Sequence, residues 1–241
     1  KVGTKIHNDI ISKINLSKKP FLAIGDSGKN YIADSIIIST GATARWLNID
    51  SEKKYKGFGI SACATCDGFF FKDKKVAVIG GGNSAAEEAL YLSNIASKVT
   101  MIHRRDSFRS EKILQDRIFN NPKIEINWNK TVEEFLGEEN PLSLKKLILK
   151  DTKNNNKTEL EVSGAFIAIG HDPETKIFNG QIDMDNENYI ITKPDSTITS
   201  VEGVYAAGDV KDKYFRQAIT AAGMGCMAAI EAEKYLAKKN I

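Results

Sequence analysis

The sequence predicts an α/β protein in which short parallel strands are joined through helices by right-handed crossovers. Three observations carry that prediction. Val76-Ala77-Val78-Ile79 is a fully apolar run of strand length. Gly80-Gly81-Gly82 turns the chain, and Ala85 to Ile95 then places Ala86, Ala89, Leu90 and Leu92 at helical spacing. Val99-Thr100-Met101-Ile102 supplies a second strand at the distance a crossover needs.

The other elements follow in chain order. Phe21-Leu22-Ala23-Ile24, the turn Gly25-Asp26-Ser27-Gly28 and Tyr31-Ile32-Ala33 read as a hairpin. Ile36-Ile37-Ile38 reads as a buried strand running into Ser39-Thr40-Gly41. Phe69-Phe70-Phe71 read as core residues entering a strand region. Leu144–Lys150 and Thr158–Val162 make a second hairpin around Asn154-Asn155-Asn156. Phe166-Ile167-Ala168-Ile169 is a buried strand closing on Gly170-His171, an echo of Ile36–Gly41 that a duplicated domain would leave. Val204-Tyr205-Ala206 runs into Ala207-Gly208-Asp209, and a long helix is expected from Gln217 to Lys238. Cys226, in the small-residue run from Ala221 to Met227, reads as buried packing.

Bulk properties exclude several classes. The chain of 241 residues suits one or two domains. Its net charge of +3, with both signs spread along the sequence, argues against a nucleic-acid partner. No apolar run is long enough to span a bilayer and no secretory signal opens the chain. Three cysteines make a poor structural-disulfide framework, so a reducing, cytoplasmic setting is expected.

Gly80-x-Gly82-x-x-Ala85 fits a dinucleotide-binding turn. The first glycine allows the tight turn and the second lets backbone approach a pyrophosphate. Ala85 lets helix and strand pack closely, and Asn83 and Ser84 open a helix whose free N–H groups face the phosphates. The alternative is a small-residue loop, but a strand precedes and a helix and strand follow. The next strand then ends in His103-Arg104-Arg105, with Arg109 one helical turn on, where an NAD site usually carries a carboxylate. Guanidinium groups suit a 2′-phosphate, so NADPH is preferred over NADH, against the alternative of a solvated basic face.

Cys63-x-x-Cys66 fits either a redox pair or half of a metal site. Zinc needs four ligands, and the other candidates, Cys226, His7, His103 and His171, are scattered. The redox reading is therefore favoured and no metal site is expected. Asp67 beside Cys66 either exchanges a proton with the dithiol or is a turn residue before Gly68. Hydride from a nicotinamide and exchange at a disulfide are joined most simply by a flavin. Gly208 and Asp209 are candidates for flavin ribityl contacts, and Arg216-Gln217-Ala218 opens a helix whose N-terminus favours negative charge on a reduced flavin.

Ser61-Ala62-Cys63-Ala64-Thr65-Cys66-Asp67-Gly68, Gly80 to Ala85, His103-Arg104-Arg105-Asp106-x-Phe108-Arg109, Ala207-Gly208-Asp209 and Arg216-Gln217-Ala218 together resemble the low-molecular-weight thioredoxin reductases, in order and over nearly the whole chain. That resemblance implies two nucleotide-binding, Rossmann-like, three-layer domains, with an NADPH domain over 56–179 inserted into an FAD domain formed by 1–55 and 180–241. It implies a homodimeric cytoplasmic flavoprotein in which NADPH reduces FAD, FAD reduces Cys63–Cys66, and the dithiol reduces thioredoxin. Gly170 joins the cofactor-contacting set. One departure is plain: the family's first Gly-rich turn, which binds the FAD pyrophosphate, has no counterpart before Lys56, and the chain opens at Lys1 without Met. An N-terminally incomplete chain that binds FAD poorly is expected. The rival expectation is a non-catalytic NADPH-binding module.

Overall fold

The computed structural model describes residues 3–239. In chain order the strands and helices are β1 (Ile11–Asn15), β2 (Phe21–Gly25), β3 (Asn30–Ala33), β4 (Ile36–Ile38), β5 (Ala42–Ala44), α1 (Asp50–Tyr55), β6 (Ile60–Ser61), α2 (Ala64–Asp67), β7 (Lys75–Ile79), α3 (Asn83–Ser93), β8 (Lys98–His103) and α4 (Lys112–Phe119). There follow β9 (Ile124–Trp128), β10 (Lys130–Glu139), β11 (Leu142–Asp151), β12 (Lys157–Glu161), β13 (Gly164–Ile167), β14 (His171–Pro173), β15 (Val204–Ala206) and α5 (Ala218–Lys238). They form two compact units. One comprises residues up to Thr43 and from Asp172 onward, and the other is Ala44–His171. The chain crosses between them twice, inside β5 and inside β14.

The Ala44–His171 unit has three layers. Its centre is a sheet in the order β6-β13-β7-β8-β9, with every pairing parallel. Strand alternation splits the buried side chains between its faces. Val76 and Val78 of β7 and Met101 of β8 pack against Ala85, Ala86, Ala89 and Leu92 of α3. Ala77, Ile79 and Ile102 face the other way, onto Phe135, Leu147 and Leu149 of an antiparallel β10-β11-β12 sheet. Because both faces are covered, β7 reads as an unbroken apolar run. β10 escapes sequence reading because its register shifts at Val132/Glu134 and again at Leu136/Gly137, which breaks the two-residue alternation.

In the other unit β1-β2-β3 form an antiparallel sheet whose β2–β3 hairpin turns where the sequence places it. β4 pairs in parallel with β15, and Ala228 and Ala232 of α5 pack with Tyr205 and Ala207. Among the described residues this parallel element is a pair of strands rather than a wider sheet.

Two sequence expectations are corrected. Gly68–Phe71 is a 3-10 turn rather than the start of a strand, and Phe69 and Phe70 are exposed at 75% and 69%. A turn that short has one inward side: Phe71 packs edge-on to Phe166 at 5.4 Å, and its two neighbours point outward. Cys226 is exposed, because α5 buries its Ala228–Ala232 side and leaves Ile219, Cys226, Met227 and Ile230 uncovered.

Leu147 has no solvent exposure and sits where β11 meets the parallel sheet. Leu147→Ala should lower unfolding stability by about 2–5 kcal/mol, read as a fall in the urea midpoint. A loss under about 1 kcal/mol would mean that this layer is not packed as described.

Candidate functional site

The Gly-rich turn is built by exclusion of side chains. Gly80 has φ +155°, and a Cβ there would overlap the Ala168 carbonyl and the Ala85 methyl. Its N–H donates to the Ile102 carbonyl at 3.1 Å, which holds the turn at the ends of β7 and β8. Gly82 differs: its φ is −100° and a Cβ would project into open space. Neither packing nor backbone strain requires a glycine there, which leaves the backbone open to approach from outside. Gly82 is the N-cap of α3, and no side chain caps the first turn at Asn83, Ser84 and Ala85.

The cationic loop is fastened to that turn. The Arg109 N–H donates to the Gly81 carbonyl at 2.8 Å. His103 is buried beneath the turn, where a Cβ on Gly81 would strike its ring, and its Nε2 lies 3.0 Å from the Ser107 carbonyl oxygen. Arg104, Arg105 and Arg109 are exposed around it. Burial, more than the neighbouring guanidinium charges, lowers the imidazole pKa, while the Ser107 contact opposes the shift. The Asn83 side chain is engaged with Glu111: its amide donates to Glu111 Oε1 at 3.2 Å, and its Oδ1 accepts the Glu111 N–H at 2.8 Å. Sequence reading missed Glu111, which lies 28 residues away with no motif to flag it. Gly170, at φ +111°, accepts the Arg45 N–H at 2.9 Å.

Cys63 and Cys66 are joined as a disulfide with a Cα–Cα distance of 5.3 Å. Cys63 is the N-cap of α2, and its sulfur accepts the Cys66 N–H at 3.2 Å and lies 3.3 Å from the Thr65 hydroxyl. Donors of this kind favour a thiolate at Cys63 once the bond opens. The Ser61 hydroxyl fixes the Cys63 N–H at 3.0 Å. Cys66 is exposed and Cys63 half-buried. Asp67 follows directly, and its carboxylate does not cap the turn that begins at Gly68. The α2 segment rests on α3: Ala64 joins the α3 core, and a Cβ on Gly68 would come within 3.1 Å of Leu92 and 3.3 Å of Tyr91.

In the other unit Gly208, at φ +76°, begins a 3-10 turn against the start of α5, and a Cβ there would meet Ala221 at 3.3 Å. Asp209 is half-buried; burial raises its pKa, the Asp212 charge adds to this and Arg216 opposes it. Asp212, which the sequence did not single out, is buried and accepts the N–H groups of Tyr214, Phe215 and Arg216 at 3.0, 3.0 and 3.2 Å. That carboxylate holds Arg216 at φ +48° immediately before Gln217, the N-cap of α5, and Ala218. No side chain caps α5 either. Among the described residues no group of three or more His, Cys, Asp or Glu could hold a metal, and no helix is long and apolar enough to cross a membrane.

The pyridine nucleotide-disulphide oxidoreductase family model matches residues 3–225. A thioredoxin reductase of Rickettsia felis is 59% identical over 237 residues, covering 98% of this chain and 76% of the relative's length. One from Escherichia coli O157:H7 is 52% identical over 244 residues, covering 98% of this chain and 75% of its own. The solved structure of thioredoxin reductase from Giardia duodenalis matches with a TM-score of 0.92 at 38% identity, covering 98% of this chain and 76% of that one.

The lowered His103 pKa sets a pH dependence. The unfolded chain takes up the proton first as pH falls, so stability from the neutral ring is full above the ordinary value of 6.5 and is lost as pH drops from there toward the folded-state value. The denaturation midpoint of wild type should therefore fall more steeply than that of His103→Gln between about pH 7.5 and 5.5. Parallel slopes would place the ring outside the buried setting.

Proposed function

The chain belongs to the thioredoxin reductases of the pyridine nucleotide-disulphide oxidoreductase family, and from that premise we propose that it carries electrons from NADPH through FAD and Cys63–Cys66 to the disulfide of thioredoxin. The observation that carries this is the bonded Cys63–Cys66 pair seated on the same helix whose first turn closes the Gly-rich turn.

The Ala44–His171 unit is read as the NADPH domain. Gly80, Gly82, Asn83, Ser84 and Ala85 suit the pyrophosphate by backbone, with Gly170 at the end of the adjoining strand. Arg104, Arg105 and Arg109 offer guanidinium groups to a 2′-phosphate, while His103 supports their loop from beneath. Gly208, Asp209, Arg216, Gln217 and Ala218 suit part of a flavin nucleotide, since a glycine-bearing turn and an uncapped 21-residue helix meet there. When bound, the flavin converts hydride from the nicotinamide into electrons a disulfide can accept.

The protein's own part is thiol chemistry. Two electrons and two protons open the Cys63–Cys66 bond. One sulfur attacks the thioredoxin disulfide, displacing a thioredoxin thiolate and forming a mixed disulfide; the other then attacks that bond and closes the ring, releasing dithiol thioredoxin. The Cys66 N–H and Thr65 hydroxyl hold negative charge at Cys63 while the ring is open. Asp67, its carboxylate uncommitted to a helix cap, takes and returns a proton beside Cys66. The exposed Phe69 and Phe70 rings next to the dithiol give thioredoxin an apolar docking face. Exposed Ile219, Met227 and Ile230 on α5 suit association into a homodimer.

In the FAD-loaded protein, Cys63→Ser and Cys66→Ser should each abolish thioredoxin reduction and leave flavin bleaching by NADPH intact; thioredoxin turnover surviving either change would remove the dithiol from the pathway. Phe69→Ser with Phe70→Ser should raise the thioredoxin KM about tenfold with kcat little changed, as expected for lost docking contacts. An unchanged KM would place the docking face elsewhere.

A further inference from the structure

Three hydrogen bonds cross between the Gly-rich turn with its helix and the loop that carries the arginines. One joins the Arg109 N–H to the Gly81 carbonyl. The other two are the reciprocal pair between the Asn83 side chain and Glu111, at 3.2 and 2.8 Å. The two segments lie far apart in sequence, and the loop's arginine side chains are exposed. Asn83 is the first residue of α3, and Glu111 is the N-cap of α4. A single side chain thus ties the start of one helix to the start of the next, with the arginine loop strung between β8 and the second tie point. The turn has its own supports: Gly82 accepts the Ala86 N–H at 3.1 Å, and Gly80 donates to Ile102. The loop has supports of its own as well, the Asn129 N–H on the Arg105 carbonyl at 3.1 Å and the His103 ring on the Ser107 carbonyl, and the Asn83–Glu111 pair with the Arg109 N–H joins it to the turn.

We propose that the Asn83–Glu111 pair is a positioning latch that fixes the Arg104–Arg109 loop relative to the Gly-rich turn, and so sets the preference for a 2′-phosphorylated over an unphosphorylated nicotinamide nucleotide. The proposal rests on the NADPH assignment made above. Neither residue need touch the 2′-phosphate. A pyrophosphate held by the turn and a 2′-phosphate held by the loop belong to one rigid ligand, so the spacing of turn and loop decides whether both are bound together. Loosening the latch costs the ligand that uses both, and spares the ligand that uses only the turn.

The test is calorimetric binding of NADP+ and NAD+ to the FAD-loaded protein and its variants, which requires no turnover. Asn83→Ala, which removes both latch bonds, should raise the Kd for NADP+ about tenfold and that for NAD+ by no more than about twofold. Glu111→Gln keeps the accepting oxygen and should bind as wild type does, whereas Glu111→Ala should shift the ratio in the same sense as Asn83→Ala. In steady state Glu111→Ala should raise the KM for NADPH and leave kcat with thioredoxin unchanged. If Asn83→Ala weakens both nucleotides equally, its amide is a shared contact and the latch is overturned. A Glu111→Ala protein with an unshifted ratio overturns it as well. Arg105→Ala separates the two levels of the argument. If it lowers NADP+ preference while both latch variants do not, the latch alone fails; if it leaves preference unmoved, the NADPH assignment fails and the latch falls with it.

Discussion

The architecture around the dithiol depends on how closely α3 approaches the parallel sheet. At its start, Gly80 and Ala85 permit contact with the β13 end that any larger side chain would block. Along its length, Ala86, Ala89 and Leu92 fill the space over β7 and β8. Its later residues, Tyr91 and Leu92, seat the short segment that carries Cys63 and Cys66. One helix therefore has an uncapped N-terminus at the Gly-rich turn and supports the dithiol segment by its side. Loss of small residues at Gly80 or Ala85 would move both features together, since interiors this dense transmit displacement rather than absorb it.

Electrostatics divide the labour among the cations. Burial lowers the His103 pKa and the ring packs against Phe108 and Trp128, while the guanidinium groups of Arg104, Arg105 and Arg109 remain in solvent. At the α5 end a buried carboxylate, Asp212, arranges three consecutive backbone N–H groups, with the half-buried Asp209 nearby in the chain. In both places a buried ionisable residue shapes a loop.

Much of this was legible in the sequence because it rests on local pattern. β7, the glycine turn, α3 and β8 lie where apolar periodicity puts them, and the hairpins around Gly25 and Asn154 are present. What was illegible depends on contacts distant in sequence or on broken periodicity. β10 is hidden by two register shifts. The Asn83–Glu111 pairing has no local signature, and Asp212 reads as one acid among many until its burial is seen. Phe69 and Phe70 mislead for the opposite reason: aromatic residues in a row suggest a core, yet a 3-10 turn turns them outward.

The central claim is that nicotinamide electrons arrive at the Cys63–Cys66 bond. The most direct measurement is anaerobic incubation of the FAD-loaded protein with NADPH, followed by thiol alkylation and peptide mass spectrometry. The account predicts that Cys63 and Cys66 are alkylated only after NADPH is added. Bleaching of the flavin with Cys63 and Cys66 still joined would contradict it.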